Sequence, residues 1–478
     1  MSIKRYFATA DNTITNAFKG GLSTRATGSN AGAADVVEIF SIYGQATTSS
    51  LEASRALVQF DISEISSDRS SGLIPNNGNV SFYLKMYNVA HIETTPRNYV
   101  LAIQAVSQSW EEGEGLDLDS RKDLTYDNVG SNWIKRSGNN SWVAEGGDFH
   151  ATPVFTTTLT KGTEDIEINV TSLVEEWIAG TKENYGFGLF LSGTYESGNK
   201  SYYTKKLFAR SSENFFKRPV LEARYNNDVN DDRGSFYSSS SLAPAGDNLN
   251  TIYLYNYVRG KLRNIPSIGT GLIYVDLYET LGGTAETLCI NTPATGGYIS
   301  TGIYTCSVCV NTTATSLRDV WHDGNAPQLQ YHTGTIEVDT FAGESYSTND
   351  KYVLSISNMR SYYGQNDTAR FRLYARRKNW SPTVYNVASS IPENLIIHSA
   401  SYEICRASDG SKVIPFGTGS DLHTGLSYDV SGNYFDLNMS MLEPGYSYDI
   451  KLAFYNDSVS NWQVQPYRFM FKVRADDY

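Results

Sequence analysis

The feature that most constrains this chain is a strand-like alternation that recurs along its whole length. Short runs rich in Val, Ile, Tyr, Phe and Thr, such as residues 54–62, 80–89 and 368–376, are separated by Gly, Asn, Asp and Ser. Long runs with helical periodicity are nearly absent. Period-two alternation is typical of strands that bury one face. This alternation predicts an all-β fold of tandem β-sandwiches. With 40% of the residues hydrophobic, the chain has enough apolar side chains to fill the cores of such sandwiches.

One short helix is predicted within the first domain. Residues 172–179 carry apolar side chains at helical spacing between two strand-like runs. Ser172 and Glu175 have the spacing of a capping box, which satisfies two backbone donors at a helix start. Gly180 suits a left-handed helix end. We therefore expect a helix packed against the sandwich core, without catalytic spacing.

The 478 residues suggest roughly three domains. Residues 1–227 read as a jelly-roll-like sandwich. An acidic stretch rich in turn residues, followed by a Ser/Ala/Pro/Gly-rich one, predicts a linker at 228–249 with little to bury. Residues 250–338 have the size of an immunoglobulin-like sandwich, and residues 339–478 read as a third β-sandwich.

Charge and hydropathy exclude several kinds of partner. The formal net charge is −12, which disfavours electrostatic attraction to nucleic acid or to an anionic membrane. No apolar run approaches the roughly 20 residues that span a bilayer. The first residues contain no apolar signal core, so we expect synthesis in a cytoplasm without export by that route.

Five places in the first half carry motifs in a characteristic order, the last of them formed by residues 208–213 together with 218–221. They include an opening strand and turn, a strand that contains Arg55, a Trp-Glu-Glu turn and the helix. Together they resemble the DNRLRE-type β-sandwich family, a jelly roll related to carbohydrate-binding modules. The resemblance implies a two-sheet sandwich with glycan or surface binding, and it does not imply catalysis. The motifs lie at residues 8–14, 55–62, 109–112, 170–178, 208–213 and 218–221.

The second half is similar to structural proteins of tailed-phage particles, particularly marine ones. This resemblance implies a virion component whose domains serve attachment and assembly. It carries no signature of a chemical reaction. The matching segments lie at residues 302–305, 319–324, 331–334, 426–429, 432–436 and 442–446.

A long polar segment from residue 110 to about residue 150 contains candidate ligand-binding aromatics. Trp133, Trp142 and Tyr126 could form a platform on which a sugar ring stacks. In the alternative interpretation, Trp110 belongs to the core, while Trp133 and Trp142 clamp the loop or a neighbouring subunit. Tyr and Trp are also frequent at protein interfaces, so the same residues are compatible with assembly.

The resemblance to carbohydrate-binding sandwiches also implies a structural calcium near the opening turn. Asp11 and Asn12 are the candidate ligands, and no other cofactor is expected. Carboxylates cluster in the polar segment, and two of them flanking a sugar would be needed by a glycosidase. Such a cluster in a loop more often marks a solvated surface or a weak calcium site. The carboxylates are Glu111, Glu112, Glu114, Asp117 and Asp119.

Cysteines and histidines supply no further catalytic pattern. Cys306 and Cys309 form a CxxC, but they lie in an alternating strand, where their side chains point to opposite faces. Cys289 could meet Cys306 across a hairpin. His322, next to Asp323 and followed by His332, is better explained as a turn or strand-edge residue.

One basic run lies in the third domain. Arg370 and Arg372 share a strand face within it, and with a net charge of −12 the run reads better as a protein–protein patch than as a nucleic-acid site. The run comprises Arg370, Arg372, Arg376, Arg377 and Lys378.

The sequence thus predicts a non-enzymatic structural protein of a phage particle, assembled in the host cytoplasm and located in the virion as a neck, collar, fibre or capsid-decoration component. The expected partners are other virion proteins and copies of itself, with a surface polysaccharide as a further candidate; nucleic acid and membrane are not expected. A carbohydrate-binding adhesin is the first alternative. A polysaccharide-degrading enzyme that uses the acidic loop is the second.

Overall fold

A computed structural model describes residues 2–116, 129–339, 350–378 and 394–475. The chain divides into two compact units, Ser2–Asn226 and Asn227–Tyr478. Strands dominate both units, which confirms the predicted all-β sandwich fold.

The first unit is a two-sheet sandwich held together by one long strand. Strand β1 pairs with β12 over its first half, with Ile3 opposite Arg224, and with β3 over its second half, with Asn12 opposite Leu57. A bulge near Ala8 separates the two halves. The strands of this unit are β1 (Ile3–Thr15), β2 (Val36–Tyr43), β3 (Leu51–Phe60), β4 (Ser81–Met86), β5 (Tyr99–Val106), β6 (Lys135–Ser137), β7 (Asn140–Ser141), β8 (Phe149–Leu159), β9 (Ile166–Asn169), β10 (Phe187–Leu191), β11 (Tyr202–Phe208) and β12 (Val220–Arg224).

The two sheets share β1 and have the strand orders β1–β12–β4–β9 and β8–β5–β10–β3–β1. Strand β2 pairs with both β3 and β11. Alternate side chains of both sheets point into one shared core. Phe82 and Leu84 of β4 meet Leu101 and Ile103 of β5 there. Burial of a side chain of this size contributes about 1.5–3 kcal/mol, so the interleaved faces stabilise the sandwich.

Three helices lie within the described part of the first unit, where the sequence predicted one. They are α1 (Ile62–Ser70), α2 (Thr171–Ile178) and α3 (Thr194–Ser197). Helix α1 begins at Asp61, whose carboxylate accepts a hydrogen bond from the Ser63 N–H at 2.8 Å. It buries Ile62 and Ile65. With only these two buried apolar residues, the sequence of α1 has too weak a helical periodicity to be recognised as a helix.

Helix α2 is the predicted helix, but its predicted capping box is wrong. Val170 occupies the cap position and no side chain caps the start, so Ser172 falls inside the first turn. Glu175 instead forms a bidentate ion pair with Arg69 of α1, with both N–O distances at 2.7 Å. The predicted left-handed end is confirmed: Gly180 has φ +69°, and the Thr181 N–H donates to the Glu176 carbonyl, as in a Schellman motif.

In the second unit, the first sandwich has its core around Trp321, Tyr304 and Phe236. Strand β17 pairs with β18 and β20, while β19 pairs with β18 and β14. Its strands are β13 (Phe236–Tyr237), β14 (Asn250–Tyr255), β15 (Tyr257–Val258), β16 (Lys261–Leu262), β17 (Ile273–Tyr278), β18 (Ala294–Ser300), β19 (Ile303–Val308), β20 (Ser316–His322), β21 (Gln330–Thr333) and β22 (Ile336–Asp339).

The remaining sandwich of the second unit is built on aromatic packing. Phe371 stacks on Phe435 at a centroid distance of 5.2 Å, and Phe435 stacks on Tyr402 at 4.2 Å. The two sheets have the orders β23–β25–β29–β28 and β24–β32–β30–β26–β27. The strands are β23 (Tyr352–Ile356), β24 (Tyr362–Gly364), β25 (Thr368–Arg377), β26 (Ala400–Arg406), β27 (Lys412–Ile414), β28 (Ser427–Asp429), β29 (Gly432–Asn438), β30 (Ser447–Asn456), β31 (Asn461–Val464) and β32 (Phe469–Arg474).

Residues 228–249 do not behave as the predicted linker. Phe236 is fully buried, and β13 pairs in parallel with β22. The Arg233 guanidinium binds both oxygens of Asp319 in β20, at 2.9 and 2.5 Å. The polar residues of this stretch therefore form ion pairs and turns within the second unit. Polar side chains can be buried in this way when they are paired.

Candidate functional site

The candidate residues of the first unit gather on the face of the β8–β5–β10–β3–β1 sheet that points away from the shared core, here called the outer face. Alternation along β3 places Arg55 and Leu57 on this face, whereas Ala56 and Val58 point inward. The polar segment after β5 packs over the face: the Trp133 N–H donates to the Thr27 carbonyl, and Trp133 contacts the outer-face cluster.

The three tryptophans of this segment are buried, which corrects the expectation of an open stacking platform. Trp133 and Trp142 are only 6% and 5% exposed and pack with Trp110 against Leu57. The Trp142 indole N–H donates to the Asn132 carbonyl at 2.9 Å, and that of Trp110 donates to the Tyr185 carbonyl at 2.7 Å. Their rings fix the segment onto the sheet, so neither Trp133 nor Trp142 presents a free face to a sugar.

Tyr126, the third predicted ligand-binding residue, lies outside the described residues, as do Asp117 and Asp119. The predicted platform therefore consists here of two buried tryptophans.

Arg55 joins the sheet to the segment that covers it. Its guanidinium forms two 2.8 Å hydrogen bonds to the Glu196 carboxylate and one of 2.9 Å to the Gly146 carbonyl. It also lies over the rings of Trp133 and Phe190, at 5.3 and 5.1 Å from their centroids. A planar cation suits such combined hydrogen bonding and stacking. The sequence motif around Arg55 was visible, but its partners were not, because they come from distant segments.

Asp11 is buried and lies in a charged cluster with the partly exposed side chains of Glu112 and Arg210. The Arg210 N–H donates to Asp11 Oδ2 at 2.5 Å, and the Asp11 N–H donates to Glu112 Oε1 at 2.8 Å. The Arg210 guanidinium binds both oxygens of Glu112. Burial raises the pKa of Asp11 to about 7, with the Glu112 charge adding to the effect and the Arg210 contacts opposing it. Positions 11, 112 and 210 all lie in motifs of the DNRLRE-type resemblance, but the sequence did not predict that their side chains meet.

Asn12 does not fit the predicted role of calcium ligand. Its amide nitrogen donates to the carbonyl and the hydroxyl of Ser131, at 2.9 and 2.8 Å, and its amide oxygen accepts from the Ala31 N–H. Asp11 keeps one buried oxygen, Oδ1, without a hydrogen-bond partner among the described residues. Calcium usually takes six to eight oxygens. Calcium binding at Asp11 stays a prediction that rests on this single oxygen.

The described carboxylates of the acidic segment do not form a pair around a cleft. Both Glu112 oxygens are engaged by Arg210. Glu111 and Glu114 are neighbours of Glu112 in sequence, and no hydrogen bond is seen from their carboxylates to other described residues. A glycosidase pair needs two carboxyl groups facing one sugar from opposite sides, and this arrangement does not supply that.

His322 is a structural residue of the second unit. It is fully buried, its Nδ1 accepts from the Gly324 N–H at 3.0 Å, and its Nε2 lies 3.1 Å from Asp276 Oδ2. Asp323 accepts hydrogen bonds from the backbone of the adjacent turn, while His332 is exposed on β21. The turn and strand-edge interpretation therefore fits Asp323 and His332, and His322 lies deeper than expected.

The two strand arginines of the basic run are neutralised within the chain. Arg370 forms a bidentate pair with Asp436 at 2.8 and 2.9 Å, and Arg372 forms one with Asp429 at 2.9 and 2.8 Å. Both guanidiniums also lie over the Tyr434 ring. These contacts weaken the predicted role of this run as a charged protein–protein patch.

A polar cleft of about 340 Å³ lies beside β24 and β25 in the second unit. Several of its polar groups already have partners: the Tyr363 hydroxyl accepts from the Arg360 N–H, and the Asn358 amide binds the backbone of Arg370 and Arg372. Its lining residues are Asn358, Arg360, Tyr363, Asp367, Thr368, Ala369 and Arg370.

Strand β8 forms an edge of the outer-face sheet and was not recognised in the sequence. It is 11 residues long and contains no Asp, Glu, Lys or Arg. Val154, Thr156 and Thr158 are exposed at alternate positions. Near its start the strand is partly protected, because Lys182 Nζ donates to the Thr152 carbonyl at 2.9 Å. From Val154 to Leu159, no strand other than β5 pairs with it in the described ranges.

Long uncharged edge strands are rare on proteins that stay monomeric, since charges, prolines and bulges normally block the addition of another strand. The second half of β8 lacks such protection. It is therefore a described element suited to pairing with another chain.

No group of three or more His, Cys, Asp or Glu residues that could hold a metal occurs in the portion of the chain that the structure describes. Among the described helices, none is long and apolar enough to cross a membrane.

Comparison with known proteins assigns no family. No family model matches the chain, and no curated protein matches it. Among solved structures, the chain is similar to titin domains Z1Z2 in complex with telethonin, with 13% identity and a TM-score of 0.15 over 48% of this chain and 90% of that one.

It is also similar to DIP-gamma IG1+IG2, with 12% identity and a TM-score of 0.13 over 43% of this chain and 84% of that one. The similarity to an amphioxus IgVJ-C2 molecule has 6% identity and a TM-score of 0.13 over 46% of this chain and 96% of that one. Similarities at this level assign no function to the chain.

Proposed function

We propose that this chain is a non-enzymatic structural protein of a tailed-phage particle that acts through protein–protein assembly. The observation that supports the proposal most directly is the uncharged, exposed edge of β8. Strand addition to such an edge provides affinity through backbone hydrogen bonds and specificity through alternate side chains. The particle class comes from the resemblance of the second half to phage structural proteins, and the DNRLRE-type resemblance fits a surface-binding first domain.

The internal pairing of the charged groups limits which groups an assembly contact would use. Arg55, Arg210, Arg233, Arg370 and Arg372 are all bound to carboxylates of the same chain. Contacts to a partner would then depend on backbone, hydroxyl and apolar groups. The adhesin alternative loses the support of Trp133 and Trp142, because both rings are buried. For the enzyme alternative, Glu112 is held by Arg210, and Asp117 and Asp119 lie outside the described residues.

The test combines particle labelling with a variant of the β8 edge. Purified particles are labelled with an antibody to this chain and viewed by electron microscopy, and the expected label lies at one discrete place. Thr156→Lys places a charge on the exposed side of β8, where pairing would desolvate it, so incorporation into particles should fall by about tenfold or more. Thr48→Lys, in an exposed turn, is the matched control and should incorporate normally.

Absence of label on intact particles would overturn the proposed function. Discrete label together with normal incorporation of Thr156→Lys would preserve the structural role and show that β8 is not the contact.

A further inference from the structure

Two of the four cysteines face each other in the first sandwich of the second unit. The Cys289 N–H donates to the Cys309 carbonyl at 2.8 Å, and the neighbouring residues Leu288 and Val310 form an antiparallel bridge. This register places Cys289 directly opposite Cys309. It also corrects the expectation that Cys289 would meet Cys306, which lies in the sandwich core.

Residues directly opposite in an antiparallel pair have their side chains on the same side, with Cα atoms about 4.5–5.5 Å apart. Disulfides usually join residues whose Cα atoms lie about 4.4–6.8 Å apart. The register of Cys289 and Cys309 is therefore one at which opposite residues usually have the Cα separation that a disulfide needs.

The thiols also interact with each other. Burial and the adjacent Cys289 thiol raise the pKa of Cys309 to about 11. Cys289 is exposed, whereas Cys309 is only 1% exposed. An oxidant from solvent can thus reach one thiol, and the protein holds the second in place as its partner.

We propose that Cys289 and Cys309 are a latent disulfide, which forms within one chain when the protein meets a peroxide. The Cys289 thiol reacts first with hydrogen peroxide to give a sulfenic acid and water. The Cys309 sulfur then attacks the Cys289 sulfur, the S–S bond forms, and the sulfenic oxygen leaves as a second water. Two thiols and one peroxide thus give one disulfide and two waters, and a dithiol reductant reverses the change.

The bond would close a loop that contains β18 and β19, since the two cysteines are 20 positions apart and flank both strands. Cross-linking a loop of this length restricts the unfolded chain. Oxidation should therefore stabilise this sandwich without changing its fold. The inference does not depend on the proposed function.

The experiment uses the full chain, purified under reducing conditions and treated with hydrogen peroxide. We expect the number of free thiols per chain to fall from four to two, a mass loss of 2 Da, and a peptide map with one Cys289–Cys309 link. The melting temperature of the transition that includes this sandwich should rise by roughly 5–10 °C. Dithiothreitol should restore all four thiols.

Cys289→Ser should abolish the stabilisation, and Cys405→Ser, whose residue is buried in the neighbouring sandwich, is the matched control and should keep it. The proposal is overturned if all four thiols stay free, if the map joins Cys289 to Cys306 or to a second chain, or if Cys289 oxidises further while Cys309 stays a thiol. The thiol count and the peptide map need no variant, so a variant that fails to fold does not affect the test.

Discussion

At the scale of single residues, the buried carboxylate of Asp11 is a group of the first unit whose charge burial disfavours. Its pKa is raised to about 7 in the folded chain, mainly because burial disfavours the charged form, whereas an unfolded Asp has a pKa of about 3.9. Between these values the folded state binds more protons than the unfolded state. The contribution of Asp11 to the free energy of unfolding therefore falls as pH rises from about 4 to about 7 and is constant above that.

Asp11→Asn should remove this pH dependence, because the amide oxygen can still accept from the Arg210 N–H but carries no charge. The difference in unfolding free energy between variant and native protein should change by about 2–4 kcal/mol between pH 4 and pH 8, in favour of the variant at high pH. Urea titrations of both proteins at several pH values measure it. Parallel pH profiles would contradict the prediction.

The same two proteins also test calcium binding at Asp11. If Asp11 binds calcium, added calcium should stabilise the native protein and not the variant. Equal responses to calcium would exclude Asp11 as a ligand.

At the scale of elements, the polar segment over the outer face is held by close backbone contact. A Cβ built on Gly113 would lie 1.9 Å from Asn30 Oδ1. Asn30 Oδ1 also accepts from the Gly115 N–H at 2.9 Å, and its amide nitrogen donates to the Val129 carbonyl at 3.0 Å. A residue with a side chain at position 113 would push Asn30 away from these partners.

Gly113→Ala should therefore lower the unfolding free energy of the first unit by about 1–3 kcal/mol, as overpacking usually does. Gly20→Ala, at a position with nothing within 4 Å of the added atom, is the control and should change it by less than about 0.5 kcal/mol. Urea unfolding followed by tryptophan fluorescence compares them, since Trp110, Trp133 and Trp142 belong to this segment and pack it onto the sheet. Equal midpoints for the two variants would show that the close contact does not matter.

At the scale of the whole molecule, the stretch predicted as a linker is a structural part of the second unit. Asp232 accepts from the Tyr428 hydroxyl at 2.7 Å and from the Thr251 N–H at 2.6 Å, so it bonds to both sandwiches of that unit. Next to it, Arg233 holds the fully buried Asp319. Burial raises the pKa of Asp319, but the Arg233 and Trp321 contacts more than offset this, and the net shift is downward.

Arg233→Ala would leave the charge of Asp319 buried, with the Trp321 N–H, at 2.8 Å, as its remaining side-chain partner among the described residues. We expect a loss of about 3 kcal/mol in the stability of the second unit. Arg370→Ala removes an equally well aligned but half-exposed ion pair and should cost less than about 1 kcal/mol. Thermal melts compare the two, and equal losses would refute the assigned role of Arg233.

The sequence by itself determined the all-β class, the position of helix α2 and its left-handed end at Gly180. These properties depend on local periodicity and on backbone preferences, both of which are set by residues close together in the sequence. Residues 1–227 could also be predicted as one sandwich, and the chain divides next to that position.

Only the tertiary structure decided which distant groups meet. Period-two alternation says that Arg55 and Leu57 share a face, but not that tryptophans from another segment bury that face. The alternation likewise does not predict that Cys289 lies opposite Cys309 or that Arg233 binds Asp319. These contacts depend on how segments that are distant in the sequence are placed beside each other. The exposed edge of β8 is a non-local property for the same reason: a strand is an edge only because no other described strand lies beside it.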